Sequence, residues 1–178
     1  MIIGLTRFNN YLLAAAVALL ACGCRTHGDK PADAVATLRV HLEVIPESMD
    51  FSTTVPIYRQ KPVLVTVDRS PFLTEANVAD ARVADANGSF SIQVHFDRQG
   101  TWLLEAYTAT SHGKHLAVFS AFSDKAKKDA RWLAAPAVTR RISNGILAFT
   151  PDATREEAEL IVQGLNNVAR KNKKASEW

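Results

Sequence analysis

The chain has 178 residues, 47% hydrophobic and 22% charged, enough for one domain with a buried core, and the composition excludes a disordered chain. The net charge of +3 is mild, and no basic stripe interleaved with aromatics appears, so nothing points to nucleic acid. Only two cysteines are present, Cys22 and Cys24, one residue apart near the N-terminus, so no framework of disulfides supports the fold.

Arg7 precedes an uncharged run, Tyr11 to Ala21, reading YLLAAAVALLA. A basic start, a short apolar stretch and then small residues make a secretory signal. The run is too short to span a bilayer, which needs about 20 apolar residues. Leu19-Leu20-Ala21-Cys22 resembles a bacterial lipobox, in which the cysteine is acylated and becomes the mature N-terminus. Cys22 is therefore the expected lipidation site, with Cys24 as a second register. Residues 1–21 read as a lipoprotein signal peptide and 22–36 as a flexible tether, because Arg25 to Ala36 is polar and carries Gly and Pro. A domain is expected over 37–171 and a frayed tail over 172–178.

Within the domain, Leu38 to Ile45 alternates as a strand does. Pro46 to Thr54 reads as a loop, and Val55–Tyr58 and Pro62–Val67 as two short strands rich in β-branched residues. Thr74 is placed to cap a short helix through Ala79, and Ala81 to Ala84 is β-like. Asn87-Gly88 then predicts a hairpin into the strand Phe90–Phe96, since both turn residues need positive φ. Asp97 sits as the N-cap of a helix with Leu103, Leu104 and Tyr107 on its apolar side, ending at His112-Gly113. Leu116 to Phe119 suits a buried strand. Ala121 to Asp129 reads as a loop or short helix. Arg131–Ala135 and Ala137–Ile142 read as strands around Pro136, with Asn144-Gly145 turning the chain back through Ile146 to Phe149. Thr154 and Glu157 form a capping box ahead of Ala158, Ile161, Val162, Leu165 and Val168 at helical spacing. The sum is an α+β domain: a mainly antiparallel sheet with two main helices on one face.

The pieces LTEANVADARV, FSIQVHFDRQGTWLLEAYTATSHGKHLAVFS, RWLAAPAVTRRISNG and FTPDATREEAELIVQGLN, in that order over residues 73–169, resemble the periplasmic P1 head subdomain of the SecD protein-export subunit. Gly113 to Val118 matches the family's "GKRLAI"-like strand, Ala134-Ala135-Pro136 its "SAP"-like turn, and Glu156-Glu157-Ala158 its "EEA" helix. SecD continues into transmembrane helices that drive proton-coupled export, and no apolar run of that length follows here, so this chain is not expected to be a motor itself. The family's tight turn before the "SAP" strand is replaced by Ala121 to Ala130.

No catalytic constellation is found. Gly-x-Ser-x-Gly, His-Glu-x-x-His and P-loop patterns are absent. His112 and His115 lack a placed third ligand, His27 near Cys22 and Cys24 does not complete a metal site, and no cofactor or metal is expected. His95 and Asp97 read as solvent-facing or capping. Glu156, Glu157 and Glu159 read as a solvated helix start, and Arg140 and Arg141 as diverging across a strand. Trp102, Tyr107 and Trp132 are candidate residues of a groove for an extended peptide, with core packing as the competing role, and Trp102 as the one most open to solvent.

The resemblance therefore implies a non-enzymatic, lipid-anchored lipoprotein of the bacterial cell envelope, facing the periplasm or exterior. Its head would bind polypeptide or translocon components, and no small-molecule substrate is expected. The alternative is a structural or assembly lipoprotein unrelated to export.

Overall fold

In the computed structural model, residues 34–45, 51–86 and 88–176 are described. The signal, most of the tether, part of the loop after Ile45, and Asn87 fall outside them. Of the two units of the chain, Met1–Lys30 and Pro31–Trp178, only the second carries described residues.

The described strands are β1 (Val35–Ala36), β2 (Arg39–Leu42), β3 (Ser52–Ile57), β4 (Val63–Asp68), β5 (Leu73–Thr74), β6 (Val78–Ala86), β7 (Ser89–Phe96), β8 (Leu116–Ser123), β9 (Lys128–Ala134) and β10 (Ile146–Phe149). Two α-helices, α1 (Arg98–Thr110) and α2 (Arg155–Ser176), complete the fold with a 3-10 turn at Glu75–Asn77. Every strand pairing is antiparallel, so the α+β expectation holds. The strands fall into three sheets instead of one.

β8 is the centre of the largest sheet. It pairs with β9 on one side and with β1 and β2 on the other, and β5 extends β2. Its sequence, LAVFSAFS, buries both faces. Leu116, Val118 and Phe122 join the main core, while Ala117 joins a second cluster with Val55, Ile57, Val65 and Val67. That second cluster is the inner face of the β3–β4 hairpin, whose alternation places Val55 opposite Val65. The β3–β4 turn begins at Tyr58, which has φ of 70°.

The second sheet has the order β10-β7-β6. The β6–β7 hairpin closes as expected, with Ala86 opposite Ser89 and Gly88 at φ 79°. α1 starts where Asp97 accepts the Gly100 N–H at 2.7 Å, and it buries Gly100, Leu104 and Thr108. α2 starts on the predicted capping box: Glu157 N–H donates to Thr154 Oγ1 (3.2 Å), and Thr154 N–H donates to Glu157 Oε2 (3.0 Å). Ala158, Ile161 and Leu165 then point into the main core.

Several expectations are corrected. The tether does not run to Ala36: Ala34 and Ala36 are buried, and Val35–Ala36 pairs with Phe122–Ser123. Two residues of small side chain give no periodic signal, and the pairing partner lies far along the chain. Thr74 caps only a single 3-10 turn, after which β6 begins at Val78. Ala121 to Asp129 is mostly strand, because the insertion lengthens the β8–β9 hairpin around a turn closed by Asp124 and Lys127. Ala137–Ile142 is not a strand beyond a bridge from Ala137 to His115. β10 therefore returns to β7, with Ile146 opposite His95. The tail is helical through Ser176.

Candidate functional site

β10 lies at the end of its sheet, and its backbone polarity can be assigned residue by residue. Phe96 N–H donates to the Gly145 carbonyl at 2.9 Å, so the alternation of an antiparallel ladder turns Gly145, Leu147 and Phe149 toward β7. Ile146 and Ala148 then direct their backbone groups away from the sheet. The Ile146 N–H is held by Asn144 Oδ1 at 3.1 Å. The Ile146 carbonyl and both backbone groups of Ala148 have no hydrogen-bond partner among the described residues. Ala148 is exposed, and its methyl group does not screen the edge.

Beside this edge is a cleft of about 450 Å³. Leu116, Pro136, Val138, Ile142 and Leu147 supply apolar lining, and Arg140 lies at its margin, exposed. The facing wall, Pro136–Asn144, is pinned at both ends. Val138 N–H donates to the Lys114 carbonyl (2.8 Å) and Gly113 N–H to the Val138 carbonyl (2.9 Å). Ile142 N–H donates to Thr108 Oγ1 on α1 at 2.9 Å, and Arg141 pairs with Glu105. The Arg140-Arg141 divergence thus arises from this wall, not from a strand.

Other edges are covered in part. On β6, Asn166 of α2 bonds Ala81 twice, accepting from its N–H (2.8 Å) and donating to its carbonyl (2.9 Å), as a neighbouring strand would. On β9, the Ala130 N–H is taken by Asp129 Oδ1 (2.8 Å) and the Leu133 carbonyl by the Asp152 N–H (2.7 Å). β3 carries Pro56, which has no donor.

A cluster of charges ties the long hairpin to α2. Glu157 is buried, its side chain 7% exposed. It accepts from Lys127, from Arg131 Nη2 (2.5 Å) and from the Thr154 N–H. Burial pushes its carboxyl up, but these donors and charges outweigh it and hold the pKa at about 2. Arg131 also pairs with Asp129, and its guanidinium sits 5.2 Å over the Phe122 ring. Nearby, Asp152 accepts the Arg59 N–H at 2.7 Å, clamping the β3–β4 turn. Glu157 is therefore not part of a solvated helix start. This cluster joins elements.

The predicted groove residues do not converge. Trp102 is 66% exposed on α1. Tyr107, on the same helix, stacks on Phe72 with centroids 4.3 Å apart. Trp132 lies on β9, edge-on to His41 and Phe119. None of the three lines the cleft. His115 bonds Glu43 (2.7 Å) and not His112, and no group of three metal-ligating side chains occurs among the described residues. Cys22 and Cys24 lie outside them. What the sequence reading missed is the open edge. Ala148 carries no chemical signal, and only the knowledge of which strand ends the sheet exposes it.

The family model for the SecDF P1 head subdomain matches residues 52–168. The chain belongs to that family. The match begins at β3, well before the residues that carried the resemblance in the sequence, so the β3–β4 hairpin is part of this P1 head. A solved structure of SecDF, described as a membrane component that enhances protein export, aligns with a TM-score of 0.51 at 19% identity, over 94% of this chain and 71% of its own. SecDF in a super-membrane-facing form aligns with a TM-score of 0.50 at 16% identity, over 89% of this chain. This chain spans 33% of that protein. No curated protein matches. Among the described residues of this P1 head, no helix is long and apolar enough to cross a membrane.

Proposed function

We propose that this P1 head belongs to a lipid-anchored envelope lipoprotein, acylated at Cys22 or, in the second register, Cys24, and that it binds extended polypeptide without catalysing a reaction. The binding place is the cleft beside β10. An incoming segment adds as a strand to Ile146 and Ala148, and the apolar lining receives alternate side chains. Backbone pairing tolerates any sequence, as a protein handling many unfolded clients requires. Family membership, together with the description of SecDF as enhancing export, supports an accessory role in export with translocon components or secreted chains as partners. The observation that carries the reading is the Ala148 backbone, without a hydrogen-bond partner among the described residues and facing a cleft.

The test is crosslinking pull-down from the native envelope, with Cys22→Ser as control. Recovery of translocon subunits or secreted chains by the wild type is the expected result, and the control reads the need for the anchor. Recovery of a single unrelated envelope protein, with no client chains, overturns the export reading in favour of a structural or assembly role.

A further inference from the structure

Ala34, the first of the described residues, is fixed to one place on α2. Asn167 Nδ2 donates to the Ala34 carbonyl at 2.8 Å. One turn earlier, Gly164 presses so closely on β1 that a Cβ there would meet Ala36 N at 2.5 Å. Helical spacing then places Arg170, Lys171 and Lys174 on the same face as Asn167, at three, four and seven residues beyond it. Arg170 Nη2 in turn donates to Asn167 Oδ1 at 2.7 Å. All three basic residues are exposed, within about 10 Å of Asn167 along the axis.

We infer that this basic face of α2 is a docking surface for the anionic headgroups of the membrane that holds the anchor. The inference rests on the lipid-anchor reading for its geometry. The segment from Cys22 to Ala34, even fully extended, reaches no more than about 40 Å. The bilayer is therefore never far from Ala34, and the three cations lie on the same face of α2 as Asn167, which holds Ala34. Polybasic segments are attracted to an anionic surface, and the attraction falls off within a Debye length. A lipid anchor alone fixes where the head is held and not its orientation. Adding the basic face fixes one orientation, with the C-terminal end of α2 toward the lipid.

The experiment uses the full chain in a Cys24→Ser background, carrying a fluorescent donor at Asn172→Cys. It is reconstituted into vesicles of phosphatidylcholine, or of phosphatidylcholine with phosphatidylglycerol, each with a headgroup-labelled acceptor. Energy transfer is expected to be about two-fold or more higher in the anionic vesicles. It should return to the neutral-vesicle level at 0.5 M salt, and equally in the double variant Lys171→Glu and Lys174→Glu. Equal transfer in both vesicle types overturns the inference. Flotation with neutral vesicles at high salt reads the anchor separately. If neither this chain nor a Cys22→Ser chain that keeps Cys24 floats there, the anchor reading fails. The basic face is then read by flotation with anionic vesicles at low salt, which the double variant should abolish.

Discussion

Two buried side chains contribute to the response of the fold to acid. His41 is buried, its Nδ1 bonding the Asp68 carbonyl at 2.8 Å. Burial holds its pKa below 6.5 despite that bond, so its contribution to stability is complete above about pH 6.5 and is lost as pH falls. Glu157 acts lower. Its folded pKa of about 2 lies below the ordinary 4.5, so its contribution is present above about pH 4.5 and disappears between there and about pH 2. A shift of that size corresponds to on the order of 3 kcal/mol. Glu157→Gln should therefore cost on the order of 3 kcal/mol in urea unfolding at pH 7, with the gap to wild type closing as pH falls toward 2. A gap independent of pH would show that the charge of Glu157 is not what stabilises the contact. A third residue tests the cleft. Ala148→Pro removes an outward N–H on an edge strand, which sheets tolerate. We expect loss of binding to an unfolded polypeptide with under about 1 kcal/mol change in stability. Retained binding would place the polypeptide elsewhere.

At the scale of elements, α2 does two jobs, and each is separately testable. It seals the β6 edge through Asn166 and seats β1 through Gly164. Asn166→Ala leaves the Ala81 backbone unpaired and should cost about 2 kcal/mol, with faster hydrogen exchange at Ala81 than at neighbouring β6 amides. Gly164→Ala drives a methyl group into the backbone of β1 and should cost about 1–3 kcal/mol by thermal melting. Both helices were legible from the sequence because their signals are local. The Asp97 cap, the Thr154–Glu157 box and the spacing of Ala158, Ile161 and Leu165 all lie within a few residues of one another. The same holds for the Asn-Gly hairpin between β6 and β7. Elements that depend on distant partners were not legible. β1 is two residues paired with Phe122 and Ser123. Pro136–Asn144 alternates like a strand but is held by Thr108 and Glu105 of α1. Glu157 looked solvated because Lys127 and Arg131 come from 30 and 26 residues earlier.

For the whole molecule, the fold class and the family were both readable. The family wording concentrates in residues 73–169, and the structure adds β3 and β4 to it. The cleft was not readable, because being the last strand of a sheet is a property of the completed topology and not of any residue in β10. The separation of roles follows from that topology. Charges gather where the long hairpin meets α2, apolar groups gather on both faces of β8, and unpaired backbone is left at β10.

The burial of β8 on both faces also bears on the order of assembly. A chain made from its N-terminus presents β1 and β2 first, yet their only sheet partner besides short β5 is β8, and β1 is closed only when Gly164 arrives on α2. Loops this long are slow to close. β1 and most of β2 therefore stay without their main partner until β8 has emerged. The start of the described domain reaches its full set of contacts only once α2 is in place as well.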